Sequence, residues 1–148
     1  MPRWPKDYVR EERNGTLFCN ACELWLDKKK FKSRGAKAKG KLHTMCNGCL
    51  YLKYTKPYVD KKTAVVQKYK LDHGCTDCGY NTHPAALEFD HLPGTDKKFN
   101  VMEQIGGRSM KTIMDEIAKC EVVCANCHAI RTTERRQDAS GSKLVANV

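Results

Sequence analysis

The stretch LEFDHLPGTDKKF, Leu87 to Phe99, decides how this chain is read. Leu87 and Phe89 alternate with polar neighbours, the period of a short strand with one apolar face. The run ends on an acid followed by a histidine, Asp90-His91, and gives way to a polar loop. Adjacent strand residues point to opposite faces, so Asp90 and His91 should not both bind one ion unless the strand bends there. One metal ligand and one base is the natural division between them.

The cysteines set the frame around that strand. Eight of the nine fall into four C-x-x-C pairs: Cys19/Cys22, Cys46/Cys49, Cys75/Cys78 and Cys124/Cys127. Two residues between thiols suit a knuckle that points both sulfurs at one ion. Such pairs read as zinc sites rather than disulfides, and no thioredoxin-like context supports a redox reading. Two four-thiolate sites would use all eight. Spacing alone leaves open which pairs share an ion. Sequential pairing gives C-x2-C-x23-C-x2-C and C-x2-C-x45-C-x2-C, so each zinc would close a long loop. Cys120 is left over and reads as a small apolar residue of the strand-like CEVV run.

The chain has 148 residues and a net charge of +10. Residues 1–62 carry 16 Lys/Arg against 6 Asp/Glu, whereas the remainder carries 11 against 11. Each four-thiolate zinc would subtract two charges and still leave the first part strongly basic. That favours a polyanionic partner, most simply DNA. With no run of about 18 apolar residues and no apolar h-region at the N-terminus, a soluble, cytoplasmic protein is expected, with no membrane partner. Oligomeric state is not legible.

The expected organisation is a small, zinc-stabilised α+β protein. Residues 1–17 read as a flexible arm with Trp4 and Tyr8 as possible anchors. Residues 18–62 read as a basic four-cysteine module holding Cys19, Cys22, Cys46 and Cys49. Its exposed loop carries the candidate nucleic-acid contacts Lys28, Lys29, Lys30, Lys32, Arg34, Lys37, Lys39 and Lys41. In LYLKYTKPY, tyrosines and lysines interleave as a nucleic-acid surface would need, or else pack on the knuckle. Pro57 should end that element, and Thr63 should cap a helix that stops at Gly74. Residues 63–138 form the second domain. Within it, Ser109 should cap a helix in which Met110, Ile113, Met114 and Ile117 share one face. A last helix carries Arg131, Arg135 and Arg136, and the tail 139–148 reads as disordered. His43, His73 and His83 read as non-ligands.

If Cys75/Cys78 and Cys124/Cys127 share a zinc, the strand ending at Asp90-His91 is clamped beside the last helix. His128 follows the fourth knuckle directly, so Asp90, His91 and His128 can converge. Asp oxygen and His nitrogen suit a divalent metal with open water positions.

The pattern CTDCG, LEFDH and KCEVVCANCHAIRT, between Cys75 and Thr132, resembles the HNH nucleases of the ββα-metal (His-Me finger) fold. That resemblance implies a DNA endonuclease. Asp90 and His128 would hold a catalytic divalent ion, Mg²⁺ or Mn²⁺. His91 would be the general base, and Cys75, Cys78, Cys124 and Cys127 would bind a structural zinc. The products would be 5′-phosphate and 3′-hydroxyl ends. Arg131 lies three residues past His128 on the same helix face and, with Arg135, is a candidate phosphate contact. Short members with an extra N-terminal C-x-x-C unit look like phage-encoded enzymes, homing-type or packaging-associated, which would act in the host cytoplasm. The alternatives are a junction-resolving nuclease and a non-catalytic zinc protein that binds nucleic acid. One feature departs from the family: no asparagine stands where its central one is expected, near Lys119-Cys120. Asn100 and Asn126 are the nearest. A backbone carbonyl could orient His91 instead, or Lys119 could contribute a charge.

Overall fold

The computed structural model describes residues 11–38 and 40–140. The chain divides into two compact units, one up to Pro57 and one from Tyr58 onward. The architecture is small α+β, with one four-cysteine cluster in each unit.

The first unit opens with a three-stranded antiparallel sheet: β1 (Glu12–Arg13), β2 (Thr16–Phe18) and β3 (Trp25–Asp27), in that order. Asn14 and Gly15 both take positive φ, 49° and 75°, which is the two-residue turn that matches strand twist. Residues 12–17 are therefore sheet and not an arm, because an Asn-Gly hairpin can form with very short strands. Trp4 and Tyr8 lie outside the described residues. Leu17 and Phe31 pack with Cys19 and Cys46 into a small core, so the cluster is also the centre of the unit.

The second knuckle starts a long helical run: α1 (Asn47–Leu50), a π turn (Tyr51–Thr55) and α2 (Lys56–His73). Pro57 does not end the helix, and Thr63 lies inside it rather than capping it. Proline lacks an N–H and crowds the carbonyl four residues back, here that of Lys53. Lys53 lies in the π turn, whose wider i→i+5 spacing takes up the conflict. Tyr51, Leu52 and Tyr54 stay exposed along this run rather than packing on the knuckle. α2 stops as expected at Gly74, whose φ is +65° and whose N–H reaches the Lys70 carbonyl at 2.9 Å.

The second unit is built on an antiparallel pair, β4 (Leu87–His91) and β5 (Cys120–Cys124), in which Asp90 faces Glu121 and His91 faces Cys120. Three further helices follow chain order: α3 (Val101–Gln104), α4 (Met110–Ile117) and α5 (Ala125–Ser140). One apolar cluster gathers Val66, Phe99, Val101, Ile105, Ile113 and Ile117. The other gathers Leu87, Val122 and Val123 around Cys75 and Cys124. α4 forms where expected, with the Ser109 hydroxyl accepting from the Thr112 N–H at 3.1 Å. α5 runs to Ser140, past the expected end at 138, and residues 141–148 lie outside the described chain. Among the described residues no helix is long and apolar enough to cross a membrane.

Ile113 is fully buried at the centre of the first of these clusters. Ile113→Ala is expected to lower stability by about 2–5 kcal/mol through lost burial and a residual cavity. Urea unfolding midpoints of the two proteins check it, and a shift too small to resolve would contradict this core assignment.

Candidate functional site

The four C-x-x-C pairs assemble sequentially. Cys19, Cys22, Cys46 and Cys49 form one group, and Cys75, Cys78, Cys124 and Cys127 form the other. Within each group the four sulfurs lie within 4.8 Å of one another. A tetrahedral zinc with Zn–S bonds of about 2.3 Å has S···S edges of about 3.8 Å. The Cys78–Cys124 sulfurs are 3.8 Å apart. The donor sets therefore fit a four-thiolate metal, with zinc the best match. Backbone N–H groups already aim at the sulfurs: Cys46 N–H at Cys19 Sγ (3.2 Å) and Cys127 N–H at Cys124 Sγ (3.5 Å). Burial pushes the Cys19 and Cys75 thiols up, but backbone N–H groups outweigh it, those of Cys46, Cys22 and Ala21 on Cys19 and those of Cys124, Cys78 and Asp77 on Cys75, and hold each at about 6. The thiols beside them respond in the opposite sense. Hydrogen bonding to its neighbours, first Cys46, pushes Cys49 up to about 12, and Cys124 drives Cys127 upward in the same way. Four thiols this close cannot all ionise at neutral pH unless a cation sits among them.

The second cluster fixes the geometry around Asp90. Cys124 closes β5 and Cys127 lies in the first turn of α5, so their shared cluster sets that helix against the β4–β5 pair. Asp90 is buried. His128, on the first turn of α5, brings Nε2 to 3.6 Å from Asp90 Oδ1. Its Nδ1 pairs with Glu88 Oε2 at 2.5 Å. The His128 ring thus stands between two carboxylates, Glu88 at Nδ1 and Asp90 toward Nε2. Of the three residues expected to meet, Asp90 and His128 come together here, and a carboxylate with an imidazole is a donor pair of the kind a divalent ion takes.

Both arginines are held by acids. Arg135 clamps both oxygens of Asp90, at 2.8 and 2.7 Å, and Arg131 adds a third contact at 3.0 Å. Arg131 also bonds both oxygens of Asp77 and Oε2 of Glu121. Neither arginine is presented as a free phosphate contact, because acids from three separate segments meet them first. Burial works against ionising Asp90, yet Arg135 and Arg131 prevail and hold its carboxyl below the usual range. A guanidinium on the same oxygens competes with an ion for Asp90. Arg135 is the one able to yield, since its side chain is 40% exposed whereas that of Arg131 is 18% exposed.

His91 points away from this cluster, as strand alternation requires. Its Nε2 lies 2.9 Å from Glu116 Oε1 on α4. Both histidines line one cleft of about 360 Å³, together with Lys70, Glu88, Asn100 and Glu103. The cleft runs along the β4 edge that pairs with no strand among the described residues. Two buried charged groups carried no signal in sequence, Lys70 in the cleft wall and Glu116 behind His91. Lys70 is buried on α2, donates to the Leu87 carbonyl at 2.6 Å and lies over the Phe89 ring, and burial lowers its pKa. Glu116 is buried on α4, where only the apolar stripe stood out. Neither Asn100 nor Asn126 is bonded to His91; the Asn100 amide turns to Glu103. His73 bonds the Tyr69 carbonyl and His83 caps the turn at Pro84, and neither belongs to a four-cysteine group. Cys120 is half-buried, and burial pushes its thiol up to about 11.

In the first unit, Lys28, Lys29, Lys30, Lys32, Arg34, Lys37 and Lys41 are all exposed. Arg34, Lys37 and Lys41 line one shallow depression, and Lys28 pairs with Glu12 at 2.9 Å. Lys39 lies outside the described residues. No family model, curated protein or solved structure matches this chain.

Proposed function

We propose that the chain is a metal-dependent DNA endonuclease of the HNH type, its second unit a ββα-metal fold and its first a DNA-gripping module. The observation that carries this reading is the convergence of Asp90 and His128, with Glu88 behind the imidazole, beside a cleft that His91 also lines. Asp90 and His128 would hold the divalent ion once Arg135 has left the carboxylate. That ion would supply positive charge to the phosphate and to the departing 3′ oxygen. His91 takes the proton of the attacking water. The phosphorus–3′-oxygen bond breaks, leaving 5′-phosphate and 3′-hydroxyl ends. The cysteine clusters would hold zinc purely as staples. The exposed lysines and Arg34 of the first unit, with Tyr51 and Tyr54, would hold the backbone and stack on it.

A second reading is favoured by one observation, the arginine clamp on Asp90. If the clamp never opens, the chain is a zinc protein that binds nucleic acid without cutting it. Supercoiled plasmid separates the two. Wild type with Mg²⁺ or Mn²⁺ is expected to yield open-circular or linear DNA, and EDTA is expected to stop it. His91→Ala is expected to bind DNA normally and lose cleavage by at least about 10²-fold. Tight binding without cleavage by zinc-loaded wild type, on plasmid and junction substrates alike, would select the second reading.

A further inference from the structure

This inference rests on the nuclease reading of His91 and deepens it. The Glu116 side chain is 2% exposed and its carboxylate is fully used. Oε1 accepts from His91 Nε2 (2.9 Å) and from the Lys98 N–H (2.8 Å), and Oε2 accepts from Lys119 Nζ (2.8 Å). Burial raises its pKa, but Lys119, the Lys98 amide and His91 together hold it at about 2. An ionised carboxylate only accepts hydrogen bonds. His91 Nε2 must therefore carry a proton, so the neutral ring has its lone pair on Nδ1. Nδ1 has no partner among the described residues, and the ring lines the cleft.

We propose that Glu116 is the positioning residue of the site, locking His91 in the tautomer that offers a bare Nδ1 to the attacking water. It fills the orienting role for which the sequence offers no asparagine. In the reaction, the water oxygen bonds to phosphorus as its proton passes to Nδ1. The electron pair of the broken bond leaves on the 3′ oxygen, which takes a proton from solvent. The imidazolium so formed faces the Glu116 carboxylate, which stabilises it, as the buried acid does in acid–histidine dyads. Lys119, considered above as a charge for His91 itself, acts one step back by holding the acid that holds the base.

A purely structural role is the competing account, because Glu116 also ties the loop at Lys98 to α4, and Lys119 bonds the Asp96 carbonyl at 2.9 Å. Long-range ¹⁵N–¹H NMR of the full-length, zinc-loaded protein reads the ring directly and needs no variant. Wild type is expected to show the proton of the neutral His91 ring on Nε2. Finding it on Nδ1 overturns the proposal. Glu116→Gln keeps the volume and one acceptor oxygen but not the charge. It is expected to fold, to bind plasmid within about twofold of wild type and to lose roughly 10–100-fold in single-turnover cleavage rate. Its His91 signals should show mixed tautomers. Glu116→Gln cutting at the wild-type rate likewise overturns the proposal. If wild type shows the expected tautomer but cuts no DNA, the nuclease reading fails while the lock on His91 stands.

Discussion

Stripping the bound metal from the native protein with a strong chelator at neutral pH is expected to unfold the second unit. Its apolar cluster is small: Leu87, Val122 and Val123 pack around Cys75 and Cys124, so two of the proposed zinc ligands belong to that core. Removing the ion leaves four sulfurs within 4.8 Å of one another with no cation among them. Some must then take up protons, and the N–H groups that face the sulfurs lose their charged acceptors. A structural zinc contributes about 10–16 kcal/mol of apparent binding energy in small domains at neutral pH. A whole domain commonly has only about 5–15 kcal/mol in hand. The first unit should respond in the same way, since Leu17 and Phe31 pack on Cys19 and Cys46. Far-UV circular dichroism, followed together with a colorimetric measure of zinc released, checks both. An unchanged spectrum after two equivalents of zinc have left would show that the clusters are not folding staples.

The second large effect is expected at Asp90. Asp90→Asn keeps the shape of the side chain and removes its charge. In the nuclease reading the ion loses its acidic ligand, and cleavage should fall below detection. The fold should suffer too, because Arg131 and Arg135 lose the buried carboxylate they share. Breaking one side of a buried ion pair costs about 3–5 kcal/mol. Arg135 can turn to water and Arg131 keeps Asp77 and Glu121, so the lower end of that range is expected. Urea denaturation and plasmid cleavage measured on one preparation separate the roles. Stability lost with cleavage retained would make Asp90 a brace and nothing more. Cleavage lost with binding retained would support the metal role.

Much of the frame was legible because it is periodic or locally encoded. Leu87 and Phe89 marked β4, the apolar stripe and Ser109 marked α4, and the cysteine spacing marked both clusters. Three kinds of feature were not. β1 and β2 are two and three residues long, too short to show alternation, and only the Asn14-Gly15 turn announces them. The long helix was hidden by Pro57, whose effect depends on a π turn that no local propensity signals. The interior charges were hidden most completely. Glu116 and Lys70 look like ordinary solvent-facing positions of their helices, and their burial depends on groups 17 to 25 residues away. Arg131 and Arg135 look like phosphate contacts for the same reason. Which acid an arginine meets is a property of the folded chain, and Asp77, Asp90 and Glu121 come from separate segments.

The side of β4 that pairs with no strand among the described residues has a consequence for how copies of this protein behave in solution. A strand with an unpaired side is a template on which another chain can add, and proteins guard such sides with short strands and charges. β4 is five residues long. The Leu87 carbonyl that an incoming strand would need is already taken by the Lys70 ammonium. An intruder would have to displace that hydrogen bond and enclose the charge away from water. The lysine beside the cleft therefore guards this side of the strand against sheet-to-sheet aggregation, the side on which the nuclease reading places the reaction.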